Sequence, residues 1–234
     1  MDKNYATFLL NKTKEDYNKI SQRFDSTRDY LPNDIKDLGQ YINQGERVLD
    51  IGCGNGRLSQ LISAENYIGI DISDKLIEIA KKKYPDKRFV LSEPLKFPFE
   101  NQSFDIAICL AVLHHIPSKQ SRAEFLKEIK RILKPNGKLI LTVWDLQSSK
   151  KAIKLFLKYT LLKLVGKTKV DFKDIFYPWK NSKGEEITDR YIHIFSLKEL
   201  QKLVEQADFE IIKTMYVKRS KKERNLLIIA KARL

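Results

Sequence analysis

Val48-Leu49-Asp50-Ile51-Gly52-Cys53-Gly54-Asn55-Gly56 is a short apolar run that ends in an acid and opens into a loop with glycine at every second position. Asp71 closes a second apolar run, residues 67–70. A strand, a glycine loop opening a helix, and an acid after the next strand together build a nucleotide-binding crevice. The glycines let ligand atoms approach the backbone where a Cβ would clash. The acid can accept both hydroxyl protons of a ribose. The third glycine comes one residue earlier than in the dinucleotide fingerprint, and no Lys-Ser/Thr pair follows to hold a triphosphate. The pattern points to a ribose-bearing ligand without a pyrophosphate.

The neighbouring sequence continues the alternation. Residues 14–25, with Tyr17, Ile20 and Phe24 at helical spacing, and residues 29–42 read as helices ahead of the core. A helix follows from about Gly56, a strand lies at 67–70, and Ser73 can cap a helix that Pro85 stops. Residues 88–91 and 104–110 read as strands three and four, the latter continuously apolar as a central parallel strand should be. A helix over 119–133 ends at the breaker Lys134-Pro135-Asn136-Gly137, before strand five at 138–144. Beyond it lie a helix over 148–165, a loop-rich stretch at 166–190, and a helix over 197–207 capped by Ser196. Strands at 210–217 and 225–231 are joined by the charged 218–224, too short for a crossover helix, which forces an antiparallel pair. The expected fold is one α/β domain over 1–234, a doubly wound, Rossmann-like seven-stranded sheet. Helices at 1–44 precede it, and 145–195 sits as a small basic cap over the carboxyl edge.

The chain has 234 residues, 42% of them hydrophobic, enough for one packed domain. No run is long and apolar enough to span a bilayer, and Met1-Asp2-Lys3-Asn4-Tyr5 lacks the apolar stretch of a signal peptide. A cytoplasmic protein without integral membrane association is therefore expected. The two cysteines, Cys53 and Cys109, do not make a structural metal site and read as packing residues. Net charge is +14 and uneven: residues 145–234 hold 21 Lys and Arg against 11 Asp and Glu, residues 1–144 hold 23 against 19. Lys151, Lys154 and Lys158 share a helical stripe with Lys150, and Lys180 continues the basic run. A polyanion such as RNA, an anionic membrane surface and simple solvation all accommodate this stretch.

The glycine loop, Asp71, Asp105-Ile-Ala-Ile-Cys-Leu-Ala-Val-Leu-His-His-Ile116 and Arg131-Ile-Leu-Lys-Pro-Asn-Gly-Lys138, in that order, resemble class I S-adenosylmethionine-dependent methyltransferases. The resemblance implies that Asp50, Gly52, Cys53 and Gly54 line the methionine part of the cofactor. It further implies that Asp71 holds the ribose, Ile72 and Glu93 meet the adenine, and Leu110 lies beside the methionine. Pro94 has no N–H for the adenine ring, so Leu95 substitutes or binding loses about 1 kcal/mol.

A narrower resemblance spans nearly the whole chain. Phe24-Asp25-Ser26-Thr27-Arg28, Val143-Trp144, Tyr177-Pro178-Trp179 and Arg190-Tyr191-Ile192-His193-Ile194-Phe195 look like the wobble-uridine tRNA methyltransferases. That family converts 5-carboxymethyluridine to its methyl ester. The resemblance implies a tRNA substrate and a small zinc-containing activator protein, for which an exposed apolar edge at strand three would be the matching feature. A carboxylate is already ionised near pH 7 and needs alignment more than a base. Arg28, Arg190 and His193 are the candidates to position it, with His115 facing the site and Trp144 or Trp179 able to stack on a base. A small-molecule methyltransferase acting on a quinone precursor or metabolite, and a non-catalytic cofactor-binding scaffold, remain alternatives.

Overall fold

The computed structural model describes residues 1–28, 30–181, 183–218 and 223–233, and leaves out the side chain of Asp34. Four short or continuously apolar segments form the parallel centre of a sheet: β1 (Val48–Ile51), β2 (Tyr67–Asp71), β3 (Arg88–Leu91) and β4 (Phe104–Leu110). β5 (Leu133–Trp144) pairs parallel to β4, with a register shift opposite residues 104–106 that accommodates the Pro135-Asn136-Gly137 turn. Two further strands, β8 (Phe209–Lys218) and β9 (Arg224–Ala232), run antiparallel, and the strand order is β3-β2-β1-β4-β5-β9-β8. This is the seven-stranded doubly wound sheet expected from the sequence. β1 pairs with β2 on one side and β4 on the other, so the order reverses there and opens a crevice at the carboxyl ends of these strands. Residues 219–222, in the linker between the last two strands, lie outside the described residues.

Apolar side chains fill both faces. Leu49, Ile51, Phe125, Leu126 and Leu139 belong to one cluster, and Val48, Ile77, Ile106, Ile108 and Ile140 to another. The helices that cover them are α3 (Asp74–Lys83), capped by Ser73, α4 (Lys119–Ile132), capped by Ser118, and α6 (Leu197–Gln206), capped by Ser196.

The N-terminal region departs from expectation. α1 spans Lys3–Ser26, not 14–25, because Asp2 caps it through the Tyr5 N–H and Leu9 is buried against Val170 and Tyr191. The expected helix at 29–42 reduces to α2 (Asn33–Lys36) and a 3₁₀ turn, Asp37–Tyr41, around Gly39. After Gly56 the chain makes only a 3₁₀ segment, Arg57–Leu61, before β2. Few residues return the chain along β1, and a 3₁₀ helix rises about 2.0 Å per residue where an α-helix rises about 1.5 Å.

After β5 come α5 (Lys150–Leu164), capped by Ser149, and then a correction to the loop-rich reading of 166–190. That stretch contains an antiparallel pair, β6 (Asp174–Lys180) and β7 (Glu186–His193), with Tyr177 opposite Arg190. α5 packs on the pair through Ala152, Leu155, Phe156 and Tyr159. Its outer surface exposes Lys150, Lys154 and Lys158 beside Ile153, Leu157 and Leu161. No helix among the described residues is long and apolar enough to cross a membrane. β3 is a sheet edge, and Leu91 is its one exposed large apolar residue. The apolar edge expected at strand three is thus a single side chain.

Candidate active site

The glycine loop begins where β1 ends. Gly52 and Cys53 donate their N–H groups to the Ile70 carbonyl, at 2.8 and 2.9 Å, which folds the loop over the end of β2. Gly52 has φ +73°, and a Cβ there would lie 2.2 Å from Val112 Cγ2. Only glycine permits both the backbone and the approach. Gly54, at φ +58°, lies under the Phe24 ring.

Asp71 is held ready by the loop it serves. Its Oδ2 accepts from the Gly54 N–H at 2.9 Å and its Oδ1 from the Ser73 N–H at 2.8 Å. Burial raises its pKa, and the Ser73 and Gly54 hydrogen bonds pull it back down. Each oxygen keeps a lone pair for a further donor, which suits a pair of ribose hydroxyls. Asp50 is buried deeper and accepts the Tyr67 hydroxyl at 2.8 Å. Burial pushes its pKa up to about 7, against the Tyr67 hydrogen bond and with added repulsion from Asp71.

Above these groups lies a cavity of about 340 Å³. Asp50, Gly52, Cys53, Gly54, Asp71, Ile72, Glu93 and Leu110, all expected at the cofactor, line this one space, as do Arg28 and His115. α1 roofs it. Asn18 accepts from Ser73 Oγ at 2.6 Å and donates to Asp74 at 2.8 Å. The buried Asn55 donates to the Asp25 carboxylate at 2.8 Å and the Arg28 carbonyl at 2.9 Å. Tyr17 and Phe24 contribute to the lining. Sequence reading placed Tyr17 on a helix ahead of the core, with no role at the site, and gave Asn55 no role beyond the glycine loop. The signal for Asn55 was an amide inside a glycine loop, where a side chain has little else to bind.

Arg190 lies beside this cavity. It is buried, with its guanidinium carbon 5.0 Å from the Trp144 ring and 4.7 Å from that of Trp179. Nε and Nη1 have no hydrogen-bond partner among the described residues. Arg28 stacks on Phe24 at 4.2 Å and on the same Trp179 at 5.1 Å. Trp144 lines the cavity, so the stack borders it directly. With Phe24, Arg28 and Arg190 against it, the Trp179 ring serves the two cations.

Two histidines take roles other than those expected. His193 is buried away from the cavity, with Nδ1 2.6 Å from Asp174 and Nε2 2.9 Å from Glu199. Both ring nitrogens are spent tying β6 to α6, so His193 does not position a substrate. His115 lines the cavity, but burial first and the Arg190 charge second push its pKa down to about 3. Its Nδ1 meets the Tyr191 carbonyl and its Nε2 the Tyr17 hydroxyl, both at 2.8 Å. It is a neutral spacer that takes up no second ring proton in the working pH range. On the cap, Lys151 lies over Tyr177 at 4.5 Å and Lys158 over Tyr159 at 5.5 Å. Lys154 and Lys180 are exposed.

Residues 22–214 match the family model described as a methyltransferase domain. The chain belongs to that family. This methyltransferase is 32% identical over 212 residues to the uncharacterized protein MJ1252 of Methanocaldococcus jannaschii, covering 86% of the chain and 77% of that protein. It is 29% identical over 219 residues to the tRNA (carboxymethyluridine(34)-5-O)-methyltransferase of Schizosaccharomyces pombe, covering 86% and 89%. It spans under half the length of the longer relatives bearing that name in Arabidopsis thaliana, Mus musculus and Saccharomyces cerevisiae. A SAM-dependent methyltransferase from Methanosarcina mazei has the same fold, with TM-score 0.71 and 25% identity over 85% of this chain and 97% of that one. The chain is thus a class I methyltransferase that uses S-adenosylmethionine. The residues present suit that cofactor. Asp71 would offer lone pairs to a ribose, Asp50 would offer a carboxylate to an ammonium, and Gly52 and Gly54 would leave room for the ligand beside the backbone.

Proposed function

We propose that this methyltransferase esterifies a carboxylate, that of 5-carboxymethyluridine at the tRNA wobble position. The observation that carries the reading is Arg190, a buried guanidinium with two donor nitrogens unpartnered beside the cofactor cavity. A charge buried without a partner costs several kcal/mol, so such a site is built for an anion that arrives with the substrate. A planar fork of donors fits a carboxylate. The similarity to the fission-yeast enzyme supports the nucleoside.

Bound S-adenosylmethionine supplies a methyl group made electrophilic by its sulfonium. The protein's part is placement. A carboxylate is ionised at pH 7 and gives up no proton when it is alkylated, so no general base is required. This agrees with a crevice whose one lining histidine, His115, is held neutral and fully hydrogen-bonded. Arg190 orients the anion, and Trp144 and Trp179 fix Arg190 by their ring faces. Arg28 adds a second positive charge at the cavity wall. Orientation of this kind supplies about 7–11 kcal/mol in favourable cases. Residues 145–195 act as the cap, and Lys151, Lys154, Lys158 and Lys180 meet tRNA phosphates.

Tritiated S-adenosylmethionine and tRNA bearing carboxymethyluridine test the reading. The expected result is label on tRNA that mild alkali releases as methanol, with Arg190→Gln lowering turnover at unchanged cofactor affinity. Alkali-stable label on a base nitrogen or ribose would contradict it.

A further inference from the structure

The hydrogen bonds at His115 can be assigned proton by proton. The Tyr191 carbonyl can only accept, so Nδ1 of His115 carries the hydrogen at that 2.8 Å contact. His115 is neutral, which leaves Nε2 with a lone pair. The 2.8 Å contact at Nε2 is therefore donated by the Tyr17 hydroxyl. Having spent its single hydrogen, Tyr17 Oη keeps only lone pairs. The ring is held edge-on against His115, with centroids 5.3 Å apart at 81°, and against Phe24, at 5.9 Å and 73°. Phe24 in turn lies on Gly54. Tyr17 lines the same cavity as Gly52, Gly54 and Asp71.

An oriented acceptor with no hydrogen to give suits a positively polarised ligand and disfavours an anion. S-adenosylmethionine has two positive regions, the α-ammonium and the carbons on the sulfonium. Asp50 also lines the cavity, but its pKa of about 7 leaves it only partly charged near neutrality.

We propose that Tyr17 Oη is a fixed acceptor for the positive pole of S-adenosylmethionine, with His115 as the positioning residue that aims it. A C–H group beside a sulfonium is a weak donor strengthened by the charge, and an ammonium is a full one. The chain from the Tyr191 carbonyl through His115 to Tyr17 links β7, the turn after β4 and α1. The segment that holds Arg190 therefore also sets the acceptor at the cofactor. The inference rests on the cofactor alone and stands whether or not tRNA is the methyl acceptor.

The test is calorimetry of the full chain with S-adenosylmethionine and S-adenosylhomocysteine, for the wild type and Tyr17→Phe. Loss of one hydrogen bond of about 1 kcal/mol predicts roughly fivefold weaker binding. A loss confined to S-adenosylmethionine assigns the contact to the sulfonium side. An equal loss with both ligands assigns it to the ammonium, which both carry. His115→Ala should weaken binding in the same pattern, and the double variant should bind no worse than Tyr17→Phe. Urea unfolding of the unliganded proteins separates folding from binding. Unchanged affinity for both ligands in Tyr17→Phe, whatever the change in unfolding, would overturn the assignment. Fully additive losses in the double variant would overturn the positioning role of His115.

Discussion

Asp50 carries a charge that depends on what lies above it. The free acid has a pKa near 3.8, and burial in the folded protein raises it to about 7. Between those values the folded state binds a proton that the unfolded chain has lost. The unliganded protein therefore loses stability as pH rises from about 4 to 7, and Asp50 adds no further slope above that. A ligand ammonium near Asp50 favours the ionised form. Affinity for S-adenosylmethionine should climb by up to about tenfold per pH unit below 7 and then level off. Calorimetric titration across pH checks this, and Asp50→Asn should give a flat, weaker profile. Asp50 and Asp71 were legible in the sequence because a strand end fixes where its last side chain goes. Arg190 was legible as a cation by resemblance. Its burial between two tryptophans was not, because that depends on how β7 meets β5 and β6. His193 misled for the same reason: an imidazole in sequence does not show that Asp174 and Glu199 already hold both its nitrogens.

At the scale of elements, β6 and α6 are tied by that histidine. Burial would raise the Glu199 carboxyl, but hydrogen bonds from His193 and Lys173 hold it down at about 2. Leaving a buried hydrogen-bonding partner such as Asp174 unsatisfied costs about 1–3 kcal/mol. His193→Ala should lose stability of that order in urea unfolding, while cofactor affinity of the folded fraction stays near wild type. α5 makes a different prediction. Each of Lys151→Ala, Lys154→Ala and Lys158→Ala should lower the salt slope of tRNA binding by about 1 wherever the lysine meets a phosphate. An unchanged slope in all three would remove α5 from the RNA surface. These two elements also show what local pattern conceals. β6 contains Pro178, and proline within a run argues against a strand unless that strand is an edge. In a two-stranded sheet both strands are edges. The helix expected over 14–25 begins instead at Lys3, where Leu9 packs against Val170 and Tyr191, distant in sequence.

Across the whole molecule, the sheet could be read from the sequence and the roof could not. β1, β2 and β4 are buried on both faces, so they appear as near-continuous apolar runs, and the terminal pair is set by a short linker. The crevice follows from the order of those strands. α1 closes over it and packs on β7 through contacts between distant residues, such as Tyr17 with His115, Asn55 with Asp25, and Lys12 with the Asp189 carbonyl. Such contacts leave no periodic mark. On the proposed function the choice of methyl acceptor would reside at the roof's border with the cavity, where Arg28, Arg190, Trp144 and Trp179 meet. The most direct test of that choice is mass spectrometry of the wobble nucleoside from tRNA incubated with the protein and S-adenosylmethionine. The account predicts that 5-carboxymethyluridine gains one methyl on its carboxyl group, and that Arg190→Gln leaves most of it unconverted. Recovery of unmodified 5-carboxymethyluridine with methylation elsewhere, or full conversion by Arg190→Gln, would contradict it.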